Sequence, residues 1–186
     1  MTIQPQLIKD CIHRKRRAEY ELYKFLYGFL MSVCYRYTNQ KELAEEMLNM
    51  GYLKILNNLE KYDHSMPFKA WIRRIMINTL IDEYRKNKNL KSKISYVEEY
   101  YDTEEFSETN DALKKLSAAE ILQMIEKLPR ASAQVFNLFA IDGYSHKEIA
   151  EKLEISEGTS KWHLNYARQK LKEMINETVL TTAKAS

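Results

Sequence analysis

Glycine and proline are scarce, at four and three copies in 186 residues, which argues against folds built on many tight turns. Only two cysteines are present, Cys11 and Cys34. They are separated by a helical-looking run and lack metal-ligand spacing, so neither a disulfide framework nor a zinc site is expected, and two free thiols in a reducing compartment fit this usage. No metal and no cofactor are expected. Long apolar runs are missing as well: "FLYGFLMSVCY" and "VFNLFAI" fall short of the roughly 20 residues a membrane-spanning helix needs. The opening "MTIQPQLIKD" has no apolar signal core, so a cytoplasmic protein without stable membrane insertion is expected. Catalytic signatures are also wanting. There is no Gly-rich phosphate loop, and His13, His64, His146 and His163 are scattered without Asp and Ser companions at diagnostic spacing. The expectation is a protein that is not an enzyme.

What is present is helical periodicity. Apolar residues recur at spacings of three and four almost throughout, and no strand alternation is convincing, so the chain reads as all-α. One helix is expected over residues 19–37, with Leu22, Phe25, Leu26, Phe29, Leu30 and Val33 inward. A second is expected over 41–59, burying Leu43, Met47, Leu48, Leu53 and Leu56. A third starts at Pro67, where a helix tolerates proline, and ends in a basic tail. From residue 92 the periodicity fails and acids cluster in "VEEYYDTEEFSETND", the composition of a flexible acidic linker.

Charge follows the same division. Residues 1–95 hold 18 bases and 10 acids, residues 96–120 hold 2 and 8, and residues 121–186 hold 9 and 8. A basic first half points to a polyanion that the acidic middle would avoid, with a lysine-rich solvated surface as the plainer alternative. The expected organisation is two small helical domains: residues 1–91, a linker at 92–112, a second domain at 113–180, and a disordered tail at 181–186.

The stretch "KEIAEKLEISEGTSKWHLNYARQKL", residues 147–171, carries the clearest motif. At about 100° per residue, Leu164, Ala167 and Leu171 share one face with Ile175 a turn on, whereas Gly158, Thr159, Trp162, Asn165, Tyr166 and Gln169 share the other. Lys161 and Arg168 flank that second face. Ile149, Ala150 and Leu153 form the inner face of a preceding short helix, Ile155 plugs the turn, and Ser156 is placed to cap the second helix. This is the helix-turn-helix plan, whose second helix enters a DNA major groove. Gly158 permits close approach to a phosphate, Trp162 and Tyr166 offer apolar contact, and Asn165 and Lys161 supply hydrogen bonds. An ordinary helical hairpin, with its tryptophan packed on a neighbouring helix, satisfies the same spacing.

With "LPRASAQVFNLFAIDGYS" before it, this stretch resembles the minus-thirty-five-binding domain of bacterial sigma factors of the extracytoplasmic-function group; regulators of the LuxR type have a similar hairpin. Glu154 stands where the family often has glycine in the turn, at a cost of about 1 kcal/mol if the backbone there is left-handed. Ser160 stands where valine is common, and its hydroxyl is expected to bond the carbonyl four residues back. "ELAEEMLNMGYLKILNNLEKYDHSMPFKAWIRRIMINTLIDEYRKNKN" resembles the other sigma domain, which binds core polymerase and the minus-ten element.

The third helix carries Trp71, Arg74, Asn78, Asp82 and Arg85 at spacings of three and four, leaving Phe68, Ile72, Ile75, Met76 and Ile81 for packing. Aromatic, guanidinium and amide groups in one stripe suit an opened strand, with Arg73, Arg74, Arg85 and Lys86 on phosphates. The resemblance assigns Asn78 to base recognition. It also assigns Glu45, Glu46, Asn49 and Met50 to the clamp helices of the polymerase's largest subunit, although the family usually has glutamine and glutamate where Asn49 and Met50 stand. The implied function is a sigma factor that directs core RNA polymerase to promoters and assists melting of the minus-ten element. Its implied partners are core polymerase, promoter DNA and an anti-sigma factor. The alternative is a stand-alone helix-turn-helix transcriptional regulator.

Overall fold

The computed structural model describes residues 3–38, 40–63, 65–90 and 117–184, and all regular structure among them is helical. The segment read as a linker, 92–112, lies outside the described residues. The chain divides into two compact units, Met1–Ser92 and Lys93–Ser186.

The first unit packs α1 (Pro5–Ile12), α2 (Arg16–Tyr35), α3 (Lys41–Asn58) and α4 (Phe68–Leu90), with a single 3-10 turn, Leu59–Lys61, after α3. Helix α1 was not expected from the sequence; proline at its first position pre-sets the backbone, and Ile8 and Cys11 bury its inner face. Along α2, Leu22, Leu26 and Leu30 recur every fourth residue and are at most 1% exposed, the row that faces α3 and α4.

Two residues expected in the core lie outside it. Phe25 is 40% exposed, because it sits about 100° round the helix from Leu26. Leu53 is 57% exposed, about 200° from Gly51 on the buried side of α3. Phe29 is half-buried, its ring lying under Lys69 Nζ at 4.7 Å and the Arg73 guanidinium at 5.6 Å from α4.

Helices α3 and α4 meet at Gly51. A methyl group there would lie 2.0 Å from Met76 Sδ and 2.7 Å from its Cε, and Met76 is fully buried, so the Met76 thioether fills the space that glycine leaves and must move for any larger residue. Ile72, Met76, Ile77, Leu80 and Ile81 line the inner face of α4; Ile77 and Leu80 complete a face that the sequence reading gave only in part. Burial pushes the thiols of Cys11 and Cys34 up to about 11 and about 12, a shift that suppresses the reactive thiolate.

The second unit packs α5 (Ala118–Glu126), α6 (Arg130–Phe136), α7 (His146–Leu153) and α8 (Glu157–Lys184), with a π-helical turn at Asn137–Ile141 continuing α6. Both α5 and α7 begin at a reciprocal cap. Ser117 and Ser145 each accept the amide three residues on, at 3.3 Å, and Glu120 and Glu148 reach back to the serine amides at 2.8 and 2.9 Å. Helices α5, α6 and α7 all pack on α8, whose Ala167, Leu171 and Ile175 close over Met124, Ile125 and Leu128. Helix α8 runs on to Lys184, through most of the segment 181–186 that was expected to be disordered. No glycine or proline interrupts it after Gly158.

Candidate nucleic-acid interface

In the second unit the turn between α7 and α8 is built by three residues. Glu154 adopts the left-handed conformation, φ 55° and ψ 51°, at the position where glycine is the usual solution. Ile155 follows, its amide bonding Ala150 O at 3.2 Å. Ser156 then caps α8, its hydroxyl accepting the Thr159 amide at 2.9 Å. This fixes the face that α8 presents. Leu164, Ala167, Leu171 and Ile175 are buried, whereas Gly158, Lys161 and Gln169 are exposed and Thr159, Trp162, Asn165, Tyr166 and Arg168 are half-buried.

The Trp162 ring stacks on Tyr166 of its own helix, centroids 5.4 Å apart and planes 20° from parallel. The aromatic pair thus forms one flat apolar plate among the amide and basic groups of the outer face. Such a face can meet base edges and methyl groups while its cations meet phosphates.

The support behind that helix was not legible in the sequence. Ser160, fully buried, does not bond the carbonyl four residues back; its Oγ lies 2.9 Å from His146 Nδ1 on α7. One turn later, buried His163 places Nδ1 2.9 Å from Ser132 Oγ on α6. Helices α6 and α7 are therefore each joined to α8 by a Ser–His pair, with the roles exchanged. Burial holds the His146 pKa below its ordinary 6.5, and Lys161 and Arg168 act in the same direction against a smaller opposing effect from Glu157.

In the first unit, Trp71 is half-buried in an aromatic cluster, 5.2 Å from Tyr62 and 5.7 Å from Phe68 between ring centroids. Tyr62, whose hydroxyl donates to Met66 O at 2.8 Å, ties the α3–α4 loop to this cluster and was missed by sequence reasoning. Of the expected contacts, Arg74 and Lys86 are exposed, and Asn78 and Arg85 are half-buried. Arg73 is drawn onto Phe29. Asp82 pairs with Lys54 at 3.2 Å.

The polymerase-assigned residues lie along α3, with Glu46 and Asn49 exposed and Glu45 and Met50 half-buried. Tyr23 donates its hydroxyl to Asn49 Oδ1 at 3.1 Å. Met50, Arg85 and Lys86 line one open groove of about 350 Å³ between α3 and α4. Members of the two assigned sets thus meet there, which the sequence pattern did not reveal. Among the described residues no group of His, Cys, Asp or Glu side chains converges as a metal site, and no helix is long and apolar enough to cross a membrane.

A helical unit with a basic, aromatic-bearing face, together with a helix-turn-helix unit, is the architecture of a DNA-binding protein. Comparison with known proteins resolves the class. Residues 22–90 match the family described as Sigma-70 region 2, and residues 118–171 match Sigma-70, region 4. The chain is 29% identical over 171 residues to the ECF RNA polymerase sigma factor SigL of Mycobacterium tuberculosis, covering 88% of this chain and 94% of that protein. It is 26% identical over 162 residues to the ECF sigma factor SigM of Bacillus subtilis, covering 86% and 94%. The solved structure of the sigma factor RpoE with the anti-sigma factor NepR from Bartonella quintana aligns at a TM-score of 0.49 and 17% identity, covering 84% of this chain and 96% of that one. The chain belongs to the sigma-70 family, in its extracytoplasmic-function group. It directs RNA polymerase in transcription initiation, with core polymerase and promoter DNA as its partners. Sigma factors as a class are non-catalytic initiation factors.

Proposed function

We propose that the two units divide promoter recognition between them, residues 1–91 serving the minus-ten element and core polymerase and residues 113–180 the minus-thirty-five element. The observation that carries this reading is that each family-matched block presents one helix face combining aromatic, amide and basic groups: Trp71, Arg74, Asn78 and Arg85 on α4, and Lys161, Trp162, Asn165, Tyr166 and Arg168 on α8. On α8, Gly158 and Thr159 approach the phosphate backbone at the helix start, Lys161 and Arg168 neutralise phosphates, and Trp162, Asn165 and Tyr166 meet base edges.

On α4, Asn78 bonds the edge of an unpaired base while Trp71 supplies a stacking edge, and Arg73, Arg74, Arg85 and Lys86 hold the opened strand. Capture of unpaired bases favours the melted state, since it binds the open strand and not the duplex. Glu45, Glu46, Asn49 and Met50 meet the clamp helices of the polymerase's largest subunit. The chain works in the cytoplasm, without cofactor or metal and with no catalysis of its own. An anti-sigma factor that covers the polymerase-binding faces regulates it.

Substituting Asn78→Ala tests the assignment. Promoter opening, followed by permanganate reactivity of unpaired thymines, is expected to fall about tenfold or more, the loss of one buried base contact, while affinity for core polymerase is unchanged. Equal loss of opening and core binding would remove Asn78 from base capture.

A further inference from the structure

The π-helical turn, Asn137–Ile141, lies outside the helix-turn-helix itself, and insertions of this type often mark functional positions. It presents the ring of Phe139 to two partners at once. On α7, the His146 ring is stacked on it with centroids 4.5 Å apart and planes 25° from parallel. On α8, the Arg168 guanidinium carbon lies 5.7 Å from its centroid, within cation–π range. His146 in turn meets the buried Ser160 hydroxyl at 2.9 Å. Ser160 and Arg168 are eight residues apart on the same helix, one in its first turn and one two turns on, so a single aromatic stack fixes both ends of the segment assigned to DNA.

We infer that Phe139 and His146 are positioning residues for promoter recognition: Phe139 aims Arg168 at a phosphate, and His146 locks the first turn of α8 through Ser160. This rests on the minus-thirty-five reading of α8. Neither residue needs to touch DNA. Burial favours the uncharged imidazole in this stack; Lys161 and Arg168 of α8 act in the same direction, Glu157 acts against them, and the π-helical turn contributes an uncharged ring. As pH falls below the ordinary imidazole value of 6.5, protonation is favoured in any state that releases His146 from this site. The lock is therefore complete above that value and weakens below it.

The experiment uses the full chain assembled with core polymerase and a promoter fragment on which that holoenzyme initiates. It reads the ratio of affinities for the intact fragment and one with a scrambled upstream element, a ratio in which pH effects on polymerase itself cancel. Phe139→Leu is expected to lower the ratio about fivefold at pH 7.5, the effect of one cation–π contact, and to lower it by less than that where Arg168→Ala is already present. Phe139→Tyr, which keeps the ring, is expected to retain the ratio. The wild-type ratio is expected to fall about threefold or more between pH 7.5 and 5.5, whereas His146→Phe, which keeps the stack but cannot titrate, has a flat profile.

An unchanged ratio in Phe139→Leu beside a lowered one in Arg168→Ala overturns the positioning role and leaves the DNA reading intact. An unchanged ratio in Arg168→Ala overturns both. A wild-type pH profile in His146→Phe removes His146 from the device, and that arm remains decisive if Phe139→Leu fails to fold.

Discussion

The two units of this sigma factor are held together by different means. Among the described residues, the core of the first is apolar apart from two hydroxyls, that of Thr79, which donates to Ile75 O at 2.9 Å, and that of Tyr52, which donates to Glu19 O. The core of the second also buries Ser132, Gln134, Asn137, Ser160 and His163. Apolar packing is strong but weakly directional, so the first unit is specified by shape, most sharply where Gly51 meets Met76. Hydrogen-bonded pairs lose far more when misaligned, so the second unit is specified by register. That difference suits the proposed division of tasks, in which α3 and α4 present broad surfaces and α8 holds a rotational setting against a groove.

The sharpest way to break the comparison is to overfill the shape-determined contact. Gly51→Val is expected to destabilise the first unit by about 3 kcal/mol, because a branched side chain must displace the buried Met76. Denaturant unfolding would show this loss in the first unit's transition, with core-polymerase affinity falling alongside it.

The second unit is broken through its polar pairs. Removing the hydroxyl in Ser132→Ala costs about 2 kcal/mol, and a double-mutant cycle with His163→Phe is expected to show coupling of about 1 kcal/mol. Additive effects in that cycle would mean that the pair does not set the register.

The smallest effect has the opposite sign. Glu154→Gly relieves the left-handed backbone at φ 55° and is expected to stabilise by about 0.5 kcal/mol, the left-handed penalty offset in part by the greater freedom of glycine in the unfolded chain. A lowered midpoint in thermal unfolding would contradict the strain argument.

Local features were legible from residues alone. The row of leucines along α2, the Ser156 cap and the inner face of α8 follow from spacing and turn chemistry, which depend on near neighbours, whereas the left-handed backbone at Glu154 was raised only through the family resemblance. Contacts made across the fold were not. Ser160 was assigned a partner within its own helix because that is the local option for a buried hydroxyl, but α7 brings His146 within 2.9 Å. Phe25 and Leu53 were placed inside because apolar identity says nothing about which edge of a wide stripe another helix covers. Tyr62 was passed over because a loop aromatic has no period, and only its 5.2 Å approach to Trp71 gives it a role.

In the proposed function the two units work together under polymerase. The most direct test is to mix the purified full chain with core RNA polymerase, isolate the complex, and sequence transcripts initiated in vitro on genomic DNA from its source. Co-elution with new start sites, each preceded by two spaced elements, is the predicted result. Failure to associate with core enzyme, with tight autonomous binding to an operator, would contradict it.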